Sequence, residues 1–393
     1  MDIRQLFRSH LAQTSETPVG LHITKAEGCN LFDINGKAYL DLIGGISVSN
    51  VGHSRKEVVE AVCRQSREYM HIMVYGELLQ SPQIEYASNL VQLLPAGLDS
   101  VYFTNSGAEA VEGALKLARR VTGRPEVIAC NYSYHGSTTG ALSIIGDEYW
   151  RNAFRPLLPG VYHYNYNSQE LLDAIGSETA CVVLETVQAE AGVIKPDPNW
   201  LEAVRMRCTE VGTLLVLDEI QCGFGRTGTL WGFQQFRVQP DILLLGKALG
   251  GGMPLGAFIS SLDHMQQLSK NPVLGHITTF GGHPVSCAAG KAALEVLNNN
   301  ALLQEVRLKE AHFLKLLHHR HIVEVRSAGL LIAIELASAD MVVDVLQKAL
   351  QEGLFSDWFL FAPQCIRIAP PLTITIEEIE QACTILLDCL NKV

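Results

Sequence analysis

The residue that most needs a chemical reason is a lysine placed directly after an apolar run. Lys247 follows Ile242-Leu243-Leu244-Leu245-Gly246 and precedes Ala248-Leu249-Gly250-Gly251-Gly252. A free ammonium is costly to bury among such neighbours. Either the side chain reaches solvent at the start of a helix, or it serves as an amine whose pKa falls in apolar surroundings, so that a nucleophilic fraction exists near neutrality. Two further groups stand in the same relation to apolar runs. Leu214-Leu215-Val216-Leu217 leads into Asp218-Glu219-Ile220-Gln221, and Val101-Tyr102-Phe103-Thr104 leads into Asn105-Ser106-Gly107-Ala108. Ser106 and Gly107 open a helical stretch whose free N–H groups suit a phosphate, although Ser-Gly in that place is by itself an ordinary helix cap.

Taken together, a phosphate cradle, a carboxylate and a buried amine are the three anchors of pyridoxal 5'-phosphate, for its phosphate, its ring nitrogen and its aldehyde. On this reading Lys247 holds the cofactor as a Schiff base and, once displaced by the incoming amine, becomes the base that moves the substrate proton. Asp218 keeps the ring nitrogen protonated. The glycines at 250–252 lack the G-x-G-x-x-G spacing of a dinucleotide loop, which argues against a nicotinamide oxidoreductase.

All three anchors fall at the carboxyl ends of expected strands, where open α/β sheets bind their ligands. Val101–Thr104, Val127–Cys130, Cys181–Leu184, Leu214–Leu217, Ile242–Leu245 and Ala257–Ile259 are continuous apolar runs of the kind covered on both faces. Amphipathic stretches such as Ala108–Arg120 and Asn199–Val211 supply crossover helices. From Leu302 the texture changes to a helix (Leu302–His319), short strands (Leu330–Leu336), a helix (Asp340–Glu352), a strand pair around Phe359–Ala369 and a closing helix from Ile376. Leu31–Asp41 reads as a hairpin with Asn35-Gly36 at its turn. The division expected is an N-terminal segment 1–50, a large cofactor-binding domain 51–298 and a C-terminal small domain 299–393.

With 393 residues, 48% of them hydrophobic, the chain has material for one large core and a smaller attached domain. A net charge of -11 offers no basic footprint for nucleic acid or anionic membranes. Neither a signal peptide nor an apolar run of spanning length is evident, which predicts a soluble, cytoplasmic protein. Ten scattered cysteines without a C-x-x-C pair or metal spacing fit reduced core thiols, Cys222 included, and no metal is expected.

Five blocks then carry a resemblance: Asn105-Ser106-Gly107-Ala108-Glu109-Ala110; Tyr134-His135-Gly136; Leu217-Asp218 through Gly228; Pro240-Asp241 leading to Gly246-Lys247-Ala248-Leu249-Gly250-Gly251-Gly252; and Thr279-Phe280-Gly281-Gly282-His283-Pro284. In this order they make the chain similar to the class III aminotransferases of fold type I, over most of its length, from about Leu31 to about Leu372. The resemblance implies a large domain with a mostly parallel seven-stranded sheet between helices, and a smaller α+β domain built from the C-terminus and the N-terminal segment. It implies phosphate contacts from Ser106, Gly107 and Ala108, Tyr134 stacked on one cofactor face, Ile220 on the other, and Gln221 on the ring hydroxyl. His135 is placed at the cofactor too, though alone it fits an ordinary core histidine. Thr279 matches a threonine that reaches the neighbouring subunit's phosphate, which implies a homodimer with shared active sites.

Glu190 and Arg367 match a gate found in relatives that alternate between an ω-amino donor and 2-oxoglutarate. Paired, they present a neutral wall; unpaired, the arginine grips a dicarboxylate. Two positions depart from the family's pattern. Ser137 stands where acetylornithine and ornithine aminotransferases usually carry a substrate-binding arginine, and Glu185-Thr186 replaces a common Glu-Pro. The first departure shifts the expected donor toward an ω-amino acid or diamine, with acetylornithine or succinylornithine as the alternative. A decarboxylase or aminomutase on the same scaffold, or a homologue that only binds the cofactor or a partner, are the other readings.

Overall fold

In the computed structural model of the chain, which describes residues 2–299 and 301–393, the central element is a seven-stranded sheet. Its order across the sheet is Ser100–Thr104, Gly256–Ser260, Ile242–Leu245, Leu214–Asp218, Thr179–Glu185, Glu126–Cys130 and Val161–Tyr164. Gly256–Ser260 runs antiparallel to both its neighbours, and the remaining pairings are parallel. Successive residues of one strand feed two different cores: Leu215 and Leu217 pack on one face with Trp200, Leu201 and Val204 of the helix Pro198–Val211. Leu214 and Val216 pack on the other with Ala110, Ala114 and Leu117 of the helix Gly107–Thr122. That two-sided burial is why these strands read as unbroken apolar runs.

The six expected strands appear at their expected places within a residue or two at either end. The seventh, Val161–Tyr164, forms the far edge and carries partly exposed Tyr162 and His163, so no continuous run marks it. A second sheet, ordered Glu324–Ser327, Ile332–Glu335, Ala362–Ile368 and Trp358–Phe359, is antiparallel throughout. Helices Leu302–Leu316, Ala339–Gln351 and Ile376–Leu390 cover it, burying Phe313, Val345 and Leu386 in the larger core. The first C-terminal helix thus ends three residues before the expected His319.

The expected N-terminal hairpin forms, with Asn30–Asp33 paired antiparallel to Ala38–Asp41. Asp33 Oδ1 accepts the N–H groups of Asn35 and Lys37 at 2.9 Å, and Gly36 takes φ 81°, a turn conformation that favours glycine. Leu354–Phe355 adds to this hairpin in parallel, joining the two ends of the chain in one small sheet. Among the described residues no helix is long and apolar enough to cross a membrane.

Candidate active site

The strand Ser100–Thr104 hands over to the helix Gly107–Thr122 through Ser106, an N-cap in extended backbone whose Oγ accepts the Glu109 N–H at 3.2 Å. The Glu109 carboxylate folds back on Asn105, just before the cap, accepting its N–H at 2.9 Å, while the Ser106 cap satisfies one orphan donor of this terminus. The N–H groups of Gly107 and Ala108, at the first helical positions, are the ones left to face a ligand, and both residues line a cavity of about 340 Å³. A Cβ on Gly107 would lie 2.8 Å from Ile220 Cδ1, so the cradle stays open only because residue 107 has no side chain.

Across that cavity the strand Leu214–Asp218 ends in a carboxylate whose two oxygens are both held. Asp218 Oδ2 lies 2.7 Å from His135 Nδ1, and Oδ1 accepts the Ile220 N–H at 2.9 Å. Burial alone would lower the His135 imidazole, but Asp218 and then Glu185 raise it above its usual value. Glu185 pairs with Asp218 in register at the end of the neighbouring strand. Its carboxylate accepts the N–H groups of Tyr134 and Ala189 at 3.0 Å each, which fixes the aromatic ring at the cavity wall. Burial pushes the Glu185 carboxyl up to about 7, against the pull of His135 and helped by the Asp218 charge. Sequence reasoning gave Glu185 no role; its position at a strand end beside Asp218 was the available signal.

Lys247 enters from the turn after Ile242–Leu245, with φ 47° in the left-handed region, a conformation that costs a non-glycine residue about 1–3 kcal/mol. Its Nζ donates to Gln221 Oε1 at 2.6 Å. Burial lowers the amine's pKa, partly countered by Glu190, Asp218 and Glu185, while Arg367 pushes it further down. Among the described residues, Gln221 Nε2 and His135 Nε2 are buried without a hydrogen-bond partner, and both residues line the cavity. Buried polar atoms are rarely left so. A helix N-terminus at one end, an amine at the other, a fixed carboxylate and two unpartnered polar atoms fit a flat, phosphorylated, hydrogen-bonding aldehyde such as pyridoxal 5'-phosphate.

Gly107, Ala108, Tyr134, His135, Asp218, Ile220, Gln221 and Lys247 therefore line one cavity, with Ser106 beside it as the cap of the helix that Gly107 opens. Thr279 does not: it is exposed and lies outside the cavity lining. Cys222 is buried, its Sγ against the Asp218 carbonyl, and burial keeps its thiol protonated. Thr186 also acquires a reason. Its N–H donates to the Asp218 carbonyl at 3.2 Å and its hydroxyl to Glu219 Oε1 at 2.8 Å, two bonds a proline cannot make.

Glu190 and Arg367 meet in a two-pronged, buried ion pair, with Nη1–Oε1 and Nη2–Oε2 both 2.8 Å. The guanidinium lies 4.5 Å over the Phe359 ring, and the Leu360 N–H also donates to Glu190 at 3.0 Å. Burial alone would raise the Glu190 carboxyl, but Arg367 and the Leu360 N–H hold it below its usual value. Neither residue lines the cofactor-sized cavity, yet both charges act on Lys247. A second cavity, about 530 Å³ and walled by Leu142, Ile145, Trp150, Phe154, Trp358 and Leu360, shares Tyr134 and Ser137 with the first.

A family model described as Aminotransferase class-III matches residues 11–390. Among curated relatives, the acetylornithine aminotransferase of Methanosarcina mazei is 38% identical over 374 residues, covering 93% of this chain and 91% of the relative. That of Archaeoglobus fulgidus is 36% identical over 389 residues, covering 99% and 100%. The solved ornithine aminotransferase of Toxoplasma gondii, reported with partial occupancy of PLP at its active site, superposes with a TM-score of 0.91 at 32% identity, over 100% of this chain and 94% of that one.

Proposed function

The chain belongs to the class III aminotransferases, which work with pyridoxal 5'-phosphate, and from that premise we propose that it moves the terminal amino group of an acylated diamino acid, of the acetylornithine type, to a 2-oxo dicarboxylic acid such as 2-oxoglutarate. The observation that carries the reading is the buried Glu190–Arg367 pair acting on Lys247. A site that must accept a donor without a second negative charge and then an acceptor with one needs an arginine that can be masked and unmasked. The donor class rests on the names of the curated relatives and on the apolar chamber beside Ser137, whose walls suit an acyl group better than a free ammonium. This reverses the weight that Ser137 alone put on an unacylated ω-amino acid or diamine. Ser137 still supports a second donor type, an amine whose apolar tail fills the chamber and which presents no carboxylate at that position.

When bound, the cofactor supplies an aldehyde that exchanges amines and a cationic ring that stores the electron pair left by a departing proton. Gly107 and Ala108 N–H groups with the Ser106 hydroxyl would hold its phosphate, Tyr134 and Ile220 its two faces, Gln221 its hydroxyl and Asp218 its ring nitrogen. His135, bonded to Asp218, keeps that carboxylate oriented. Lys247, its ammonium weakened by burial, takes the substrate proton at Nζ, and Gln221 Oε1 at 2.6 Å aims it. A homodimer in which exposed Thr279 reaches the partner's phosphate completes the proposal, with a cytoplasmic location and the domain division 1–50, 51–298 and 299–393. Half-reactions of the purified enzyme with N-acetylornithine, N-succinylornithine, ornithine, 4-aminobutyrate and putrescine, followed by the cofactor's visible spectrum, test the donor class. Acylated ornithines are expected to react fastest; an unacylated diamine outpacing both would overturn it.

A further inference from the structure

Arg367 has a second carboxylate that the gate does not use. Asp357 Oδ1 lies 2.9 Å from Arg367 Nε, on the edge of the guanidinium that Glu190 leaves free. The two atoms are in ion-pair contact without the alignment of a hydrogen bond. The backbone ties the same residues together: the Arg367 N–H donates to the Asp357 carbonyl at 2.8 Å, and the hydroxyl of Ser356 donates to the Arg367 carbonyl. Glu190 sits in the segment after the strand Thr179–Glu185, but its carbonyl accepts the Phe361 N–H at 3.1 Å and its carboxylate the Leu360 N–H at 3.0 Å, so its backbone is held at the same small-sheet margin. A swing of the Glu190 side chain away from Arg367 therefore leaves Asp357 beside the guanidinium.

We propose that Asp357 is a specificity-determining counter-ion of Arg367, one that remains on the guanidinium when Glu190 lets go and weakens its grip on a dicarboxylate acceptor. The charges support this directly. With Glu190 in place the trio carries a net charge of minus one when Asp357 is ionised and none when it is neutral; with Glu190 released, Arg367 offers a full positive charge only if Asp357 is neutral. The groups facing Asp357 are Arg367 on its own sheet, Glu190 from the large-sheet segment, and Asp41 from the N-terminal hairpin, itself 2.8 Å from His53. Burial pushes the Asp357 carboxyl up to about 6, opposed by Arg367 and helped by Glu190 and Asp41. Its side chain keeps 29% of its exposure, so protons reach it from solvent. With Glu190 in place the neutral form appears as pH falls through about 6; release of Glu190 removes one of the charges that raise the value, so the stronger grip appears below that.

The inference rests on the gate reading of Glu190 and Arg367, and the test separates the two. Asp357→Asn holoenzyme, which keeps an acceptor beside Nε and loses the charge, should show a KM for 2-oxoglutarate lower by about two- to fivefold at slightly alkaline pH, with kcat near wild type. The wild-type KM should fall toward the same value as pH drops below about 6, and the variant should lack that slope. Asp357→Ser removes the same charge with a smaller side chain and serves if the asparagine variant folds poorly. An unchanged or raised acceptor KM in the folded variants, a slope that persists without Asp357, or a flat wild-type profile would overturn the role of Asp357. If Arg367→Ala itself left the acceptor KM unchanged, the gate would fail; if Arg367→Ala weakened the acceptor while Asp357→Asn did not tighten it, only this inference would.

Discussion

Replacing Arg367 by alanine should separate the two halves of the transamination cycle. In the closed pair Arg367 donates through both terminal nitrogens to Glu190, and the proposal has it turn the same fork toward the far carboxylate of the acceptor. Truncating one side of such a buried, charge-assisted contact costs a complex about 2–4 kcal/mol. At about 1.4 kcal/mol per factor of ten, that is roughly a 30- to 1000-fold loss of kcat/KM toward 2-oxoglutarate. A donor with an uncharged tail makes no use of the fork, so its half-reaction should change far less. The substitution also strands Glu190, 4% exposed, without its partner. Removing one side of a buried pair destabilises a fold by about 3–5 kcal/mol, less whatever the carboxyl recovers by taking a proton. Both half-reactions are therefore measured on one preparation below its unfolding range, so that the folded fraction cancels in their ratio. Glu190→Gln is the companion: it takes the Glu190 charge off Arg367 throughout, which should favour dicarboxylates and penalise ω-amino donors. Equal effects of Arg367→Ala on donor and acceptor would remove the gate from the account and leave the family assignment untouched.

Lys247→Ala should abolish transamination and the visible absorbance of the lysine-linked cofactor while far-ultraviolet dichroism stays native; turnover at the wild-type rate would show that the base is elsewhere. Asp218→Asn should keep the cofactor bound yet slow proton removal by several powers of ten in single-turnover kinetics, because a neutral ring nitrogen cannot hold the displaced charge. A loss under about tenfold would assign that protonation to another group. Thr186→Pro deletes the bonds to the Asp218 carbonyl and to Glu219, and should lower stability by about 1–3 kcal/mol. A calorimetric midpoint equal to wild type would leave those two bonds without a role in stability.

How much of this was legible in the residues alone follows from what burial does to a pattern. Strands covered on both faces, such as Ile242–Leu245, announce themselves as unbroken apolar runs, and the chemistry-bearing residues stand out because they interrupt such runs at one end. Val161–Tyr164 escaped because an edge strand mixes exposed and half-buried positions, and Leu354–Phe355 because two residues carry no period. Lys247 and Asp218 were legible as costly groups beside apolar ones. Arg367 was not, since on sequence grounds it reads as a surface residue, and only its match to a family pattern linked it with Glu190. Asp357 left no trace at all: its meaning is a 2.9 Å contact with a residue ten positions on, set by the pairing of two short strands.

The apolar chamber draws its walls from stretches outside the large sheet's strands. Leu142, Ile145, Trp150 and Phe154 belong to the excursion between Glu126–Cys130 and the edge strand Val161–Tyr164, and Trp358 and Leu360 to the small sheet's margin. The residues at the cofactor-sized cavity instead cluster at or just beyond the large sheet's strand ends, where Glu185 and Asp218 depend on each other's register. Apart from Tyr134 and Ser137, which line both, the two cavities can therefore change independently. Substitutions at the excursion's exposed wall can reshape the chamber for a bulkier, flatter or shorter amine while the strand-end residues of the other cavity stay unchanged. A laboratory library confined to exposed positions 150 and 154 should explore new amines at little cost in folded, cofactor-loaded protein, whereas changes at buried Leu142 and Ile145 would cost stability and changes at the strand ends would mostly yield apoprotein.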